Sequence, residues 1–311
     1  MKPNIVFLDE YSLGGSDLTS IKRLGNYTGY DFTTPEQVVE RCREAEIVIT
    51  NKVVLNTVIM RQLPHLRLVC IAATGMNNVD LETAATLGID VRNAVGYSTH
   101  SVAETTIGAA LALLREVAYY NDYFHSGRYS AGRMFCFDRP IAQIRGKHWG
   151  IVGLGNIGRE VARLATAFGG EVRYYSTSGV ARKEEYSAVA LDELLAWADI
   201  LSIHCPLNEH TRNLIGSREL SRMKPSAIII NVARGGIIDE QALADALNNN
   251  TIRGAALDVF SSEPLPASSP LLHLRDHYKL LASPHNAWAT VEAMERLVAC
   301  IADNIVQYLN K

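Results

Sequence analysis

One short stretch limits this chain more than any other: Lys147-His148-Trp149-Gly150-Ile151-Val152-Gly153-Leu154-Gly155-Asn156-Ile157-Gly158. It reads as a buried strand, a turn with glycine at each position of a G-x-G-x-x-G pattern, and the first turn of a helix. Gly153 permits the tight turn. Gly155 lets backbone N–H groups approach a pyrophosphate, and Gly158 lets the helix lie close on the strand. The positive end of the helix then faces the phosphates. Ile157, Val161, Leu164, Ala165 and Phe168 keep helical spacing, Gly169-Gly170 closes the helix, and residues 171–176 read as a second strand. A glycine turn alone also occurs in proteins that bind nothing. Strand, turn, helix and strand in succession make this one a Rossmann unit.

At 311 residues two domains are expected. A hydrophobic content of 48% and a charged content of 20% are those of a soluble globular protein. The net charge of −3 argues against nucleic acid or an anionic membrane as a partner. Five cysteines (Cys42, Cys70, Cys136, Cys205, Cys300) are scattered without a C-x-x-C pair, which predicts reduced thiols in a cytoplasmic protein and no metal site. The first apolar run meets Asp9 too soon for a signal peptide. The most apolar helix, 107–114, is too short to span a bilayer.

Strands expected at 5–8, 30–32, 47–50, 68–73 and 90–93 alternate with helices at 35–42, 56–61 and 81–87. That alternation implies a parallel sheet with helices on both faces, whose ligands sit beyond the carboxyl ends of the strands. Thr74-Gly75-Met76 lies at such an end. Its amides can hold an anion, or it is an ordinary strand-to-helix loop. Residues 98–120 read as one long helix crossing between domains, with Ser101 and Glu104 at capping-box spacing. The segment 126–139 has no period and reads as an extended arm. Beyond the glycine turn, strands at 200–204, 227–232, 252–258 and 280–285 alternate with helices at 191–197 and 239–247. An amphipathic helix at 293–309 is expected to return to the first domain.

Strand ends on one edge of a parallel sheet converge on one crevice. Four stretches deliver polar groups there: Cys205-Pro206, Asn231-Val232-Ala233-Arg234-Gly235-Gly236, Asp258 through Glu263, and Ser283-Pro284-His285. Hydride transfer to a 2-keto acid needs such a set. A guanidinium holds a carboxylate through two oxygens and keeps its charge, and Arg234 fits. The developing alkoxide needs a proton donor near neutrality, and a histidine, ordinarily at about 6.5, fits as His285. Glu263 would orient that ring and favour its protonated form. Taken singly, Arg234 reads equally as a surface ion pair, His285 as a helix-start residue and Glu263 as a loop charge. Their order behind a Rossmann turn selects the functional reading.

On these stretches, together with Ala72 through Asp80 and His204-Cys205-Pro206-Leu207, the chain resembles the D-isomer-specific 2-hydroxyacid dehydrogenases over nearly its whole length. The resemblance implies two doubly wound parallel-sheet α/β domains, a Rossmann cofactor domain (99–285) inserted in a discontinuous flavodoxin-like substrate domain (1–98 and 286–311). It implies Arg234 as substrate ligand, His285 as acid/base and Glu263 as the group that tunes it. Cofactor contacts would fall on Thr106, Gly153, Gly155, Asn156, Ile157, Gly158, Ser176, Thr177, Cys205, Pro206, Val232, Ala233, Asp258 and His285, with Asp258 at the nicotinamide carboxamide. Backbone at Thr74, Gly75 and Met76 would help hold the substrate carboxylate. Closure of two lobes would exclude water, and a homodimer would form through the 98–120 helix and the 126–139 arm.

The resemblance points to a small 2-keto/2-hydroxy acid as partner, with no nucleic acid and no membrane. Gly96 through Thr99 and Pro284 through Trp288 look most like glycerate dehydrogenases (hydroxypyruvate reductases). The acidic residue that many NAD-using members carry after the second Rossmann strand is here Ser176, followed by Thr177 and Ser178, with Arg182-Lys183 beyond. Repulsion of a 2′-phosphate is missing there, which favours NADP over NAD and leaves dual use open. A nicotinamide-sensing co-repressor and a phosphite dehydrogenase are the alternatives on the same fold. A formate dehydrogenase would need glutamine where Glu263 stands.

Overall fold

Short runs of branched apolar residues become the strands of two parallel sheets in the computed structural model, which describes residues 2–179 and 184–311. The first sheet contains β1 (Asn4–Phe7), β2 (Asn26–Gly29), β3 (Ile47–Thr50), β4 (Leu68–Ile71) and β5 (Asp90–Asn93). Its order is β2-β1-β3-β4-β5, parallel throughout. That is the flavodoxin-like order. Every residue of β3 and β4 is buried, as expected of parallel strands covered on both faces.

The second sheet contains β6 (His148–Val152), β7 (Glu171–Tyr175), β8 (Ser187–Ala188), β9 (Ile200–Ile203), β10 (Ile228–Asn231), β11 (Gly254–Leu257) and β12 (Leu280–Ala282). Its order is β12-β11-β10-β9-β6-β7-β8, also parallel. This is the Rossmann order with one further strand beyond the sixth.

The chain groups as Met1–Ser98 with Ala289–Lys311, and as Thr99–Trp288. In the first unit the helix Val291–Leu309 completes the fold, burying Ala293, Leu297, Val298, Ile301 and Ile305. The Arg296 guanidinium donates to the Tyr97 carbonyl at 2.9 Å and the Asn304 amide to the Asn93 carbonyl at 3.1 Å. Residues 286–288, expected with this unit, stay with the second. The Asp258 carboxylate accepts the N–H groups of Asn286 and Ala287, and the Ser101 hydroxyl donates to the Ala287 carbonyl at 2.5 Å.

Three further expectations are corrected. The second strand lies at 26–29, not 30–32, because β2 is a largely exposed edge strand and carries no apolar signal. The long helix ends at Leu114, and a separate helix runs Val117–His125. Glu116 breaks them at φ 52°, its carboxylate held by Arg139 at 3.2 Å and Arg253 at 3.0 Å. Ser101 lies inside the first of these helices and so caps nothing. The 126–139 arm contains the short helix Arg128–Ala131. Among the described residues no helix is long and apolar enough to cross a membrane, and no group of three or more His, Cys, Asp or Glu could hold a metal.

The glycine turn is a packing device. A Cβ at Gly158 would stand 2.3 Å from the Gly153 carbonyl oxygen, and one at Gly153, itself at φ 93°, would stand 2.8 Å from the Cys205 Cβ. Gly158→Ala is therefore expected to cost about 2 kcal/mol or more, since neither backbone nor strand can yield. Thermal unfolding checks this, and an unchanged melting temperature would show that helix and turn can separate freely.

His204, just past β9, is sealed although its residue keeps some exposure: neither ring nitrogen has a hydrogen-bond partner among the described residues. Burial pushes its pKa from 6.5 down to about 3. Between those values the unfolded chain binds a proton that the folded chain does not. Stability therefore falls as pH drops through that window and is unaffected above it. His204→Leu is expected to move the acid-unfolding midpoint, followed by circular dichroism, to lower pH. A midpoint that stays put would mean the ring is not sealed.

Candidate active site

Two cavities open at the carboxyl ends of the second sheet. The larger, of about 270 Å³, lies over β6, β7 and β9. Gly153 and Gly155 form its floor, Ser176 and Thr177 one wall, and His204, Cys205 and Pro206 another. A Cβ at Gly155 would meet nothing within 4 Å, so the turn leaves space where Gly153 and Gly158 leave none. The helix Asn156–Ala167 starts there with its amides unspent. Open space above a glycine and a helix N-terminus beside it fit a dinucleotide pyrophosphate and its adenosine. Burial raises the Cys205 thiol to about 11, so it lines this wall as a neutral group.

The smaller cavity, of about 100 Å³, lies over β10, β11 and β12, with Val232, Asp258 and Ser283 in its wall. Asn231, Leu257 and Ala282 form one aligned row across these strands. Arg234, Asp258 and His285 follow that row within three residues on adjacent strands, which lie about 4.8 Å apart.

A continuous set of hydrogen bonds joins them. The Asn231 carbonyl accepts from the Asp258 N–H at 3.0 Å, and the Asp258 carbonyl accepts from the His285 N–H at 2.8 Å. The Asp258 carboxylate, 2% exposed, accepts from the Ser283 hydroxyl at 2.5 Å and from the Asn286 and Ala287 N–H groups at 2.9 Å each. These bonds hold His285 at φ 52°, a conformation rarely taken by residues other than glycine. Its Nδ1 lies 2.7 Å from Glu263 Oε2, and Glu263 Oε1 accepts from the Phe260 N–H at 2.9 Å.

The Arg234 loop is tied to the same framework. The Asn231 amide donates to the Arg234 carbonyl at 2.9 Å, and its oxygen accepts from the Ala233 N–H at 3.0 Å. A Cβ at Gly235 would fall 1.9 Å from the Phe260 carbonyl oxygen, so this loop lies directly on the one carrying Glu263. The Arg234 guanidinium donates to the Ala233 carbonyl at 2.7 Å and has no carboxylate partner among the described residues. A paired imidazole and glutamate can deliver a proton, and a guanidinium on the loop packed against theirs is a group that binds carboxylates.

The other expected residues are placed unevenly. Thr106 is fully buried, its hydroxyl donating to the Val102 carbonyl at 2.8 Å; Thr105 lines the small cavity instead. Ile157 packs against the core, and Asn156 faces a separate cavity with Arg159. Arg182 and Lys183 lie outside the described residues. Thr74, Gly75 and Met76 follow β4 in the first unit, where the Asn93 amide donates to the Thr74 carbonyl at 2.7 Å and the Thr74 hydroxyl to the Ala94 carbonyl at 3.0 Å. Glu184 and Asn208 also line the large cavity and were not expected; both sit in polar loops without periodicity.

Comparison with known proteins shows the family. The family profile described as D-isomer specific 2-hydroxyacid dehydrogenase, NAD binding domain, matches residues 107–287. The chain is 38% identical to a glycerate dehydrogenase of Methylorubrum extorquens, over 99% of this chain and 97% of that protein. It is 36% identical to a hydroxypyruvate reductase of Blautia hydrogenotrophica, over 98% and 96%. The crystal structure of an NADPH-dependent glyoxylate/hydroxypyruvate reductase from Sinorhizobium meliloti, in complex with NADP and malonate, superposes with a TM-score of 0.84 at 27% identity, covering 100% of this chain and 95% of that one. This chain is a member of the D-isomer specific 2-hydroxyacid dehydrogenase family, with a nicotinamide-dinucleotide-binding Rossmann domain and the oxidoreductase chemistry of that family.

Proposed function

We propose that the protein reduces a small 2-keto acid, hydroxypyruvate or glyoxylate by preference, to the D-2-hydroxy acid. The pairing of His285 with Glu263 at 2.7 Å, next to the loop that bears Arg234, carries this reading. The names of the similar proteins support the choice of substrate.

Bound in the Rossmann cavities, the dinucleotide supplies a hydride. Everything else falls to the chain. Arg234 grips the substrate carboxylate through two N–H groups, which fixes the keto carbon in one orientation. Glu263 accepts from Nδ1 of His285 and so directs Nε2 at the carbonyl oxygen. As charge develops on that oxygen, Nε2–H donates its proton and the hydroxyl forms. The absence of a carboxylate at Ser176 supports use of NADPH as well as NADH. Exposed Met134, Phe135 and Phe137 on the arm support a homodimer assembled there.

Purified protein is expected to oxidise NADPH and NADH with hydroxypyruvate and glyoxylate, and more slowly with pyruvate or 2-ketobutyrate. Tight dinucleotide binding with no turnover on this panel would replace the reading with that of a sensor. His285→Ala should lower kcat by about a thousandfold while leaving the Kd for NADP nearly unchanged. Arg234→Lys keeps charge but loses the two-point grip, so KM for the keto acid should rise about a hundredfold. A His285→Ala variant that still turns over at the original rate would remove this proton donor from the mechanism.

A further inference from the structure

The large cavity lacks an acidic residue at the end of β7, yet it has a carboxylate. Glu184, eight positions beyond Ser176, lines the same cavity wall as Ser176, Thr177 and Ser178. Its side chain is only 13% exposed. Arg159, in the first turn of the helix that starts at Asn156, grips it with two N–H groups: Nε reaches Oε2 at 3.1 Å and Nη2 binds Oε1. Arg159 itself faces a neighbouring cavity, and Glu184 forms part of the wall of both. Among the described residues lining the large cavity, Glu184 carries the only charge, since burial keeps His204 neutral.

We propose that Glu184, clamped by Arg159, is the acidic group that meets the adenosine ribose, doing from a later segment what Ser176 cannot do. This rests on the reading that the large cavity holds the adenosine end of the dinucleotide. A carboxylate there accepts from ribose hydroxyls and opposes a 2′-phosphate. Arg159 offsets part of its charge, so the opposition is incomplete and both dinucleotides bind. The pair therefore sets the ratio of the two affinities, a specificity-determining contact separate from the chemistry at His285.

The test is equilibrium titration of NAD+ and NADP+, by calorimetry or protein fluorescence, on the full chain and three variants. Glu184→Gln removes the charge and frees the guanidinium, so the affinity ratio should move toward NADP+ by about tenfold. Arg159→Gln removes the guanidinium's share of the offset, so the ratio should move toward NAD+ by about threefold. Glu184→Asp keeps the charge and should shift the ratio less than Glu184→Gln. Shifts of opposite sign in the first two variants are something a loss of folding cannot produce. If Glu184→Gln does not fold, Arg159→Gln and Glu184→Asp still decide. Unchanged ratios in variants that bind both dinucleotides overturn the proposal and leave the adenosine reading intact. Wild-type protein that binds neither dinucleotide overturns both.

Discussion

The reactive end of the second unit depends on one buried carboxylate. Asp258 is almost fully enclosed, and three of its roughly four acceptor positions are filled by Ser283, Asn286 and Ala287. A buried charge is tolerated only when hydrogen-bonded this fully, and each such bond contributes about 1.5–3 kcal/mol. The return is conformational. His285 sits at φ 52°, which costs on the order of 1–3 kcal/mol for a residue other than glycine. The bonds on either side of it outweigh that cost and leave the ring one direction, toward Glu263. The carboxylate that resemblance assigns to the nicotinamide carboxamide thus spends most of its capacity on shaping the loop that carries His285.

The phosphate-facing end is organised by contact instead. Gly153 and Gly158 are places where a methyl group would strike backbone or Cys205, so strand, turn and helix interlock without room to adjust. Gly155 differs in kind: a side chain there would meet no protein atom within 4 Å, so the turn is open on that side. The same wall holds His204 with both ring nitrogens sealed off from water. A turn this tight at two points and open at the third is rigid where it touches the sheet and leaves its outer side free of protein atoms.

Much of this was legible in the chain because the relevant signals are local. Fully buried parallel strands are unbroken apolar runs, so β3, β4, β9 and β10 can be read directly. Arg234 and Asp258 follow the buried strands β10 and β11, His285 follows the part-exposed β12, and parallel pairing brings the three to adjacent strand ends. Where the cause is remote, reading failed. The break at Glu116 is fixed by Arg139 and Arg253, 23 and 137 residues away. β2 is an exposed edge and has no pattern to detect. The choice between Thr105 and Thr106 is about 100° of rotation on one helix, which family resemblance does not resolve. Glu184 is hidden for the plainest reason: a glutamate in a polar loop looks like solvent-facing charge until the helix bearing Arg159 is folded against it.

The two ends of the cofactor unit therefore differ in how freely they can change. At the reactive end, side-chain placement is written into backbone hydrogen bonds between adjacent strands, and altering Asn231 or Asp258 disturbs Arg234, Glu263 and His285 together. Beside the large cavity, charge is supplied by one side chain from a loop and one from a helix, which hold each other through two hydrogen bonds. Swapping either leaves β6, β7 and the glycine turn as they are. On the proposed reading, a fold built this way can hold its chemistry constant while its preference between two dinucleotides drifts, because Glu184 and Arg159 stand near β6 and β7 whereas Arg234, Glu263 and His285 follow β10, β11 and β12.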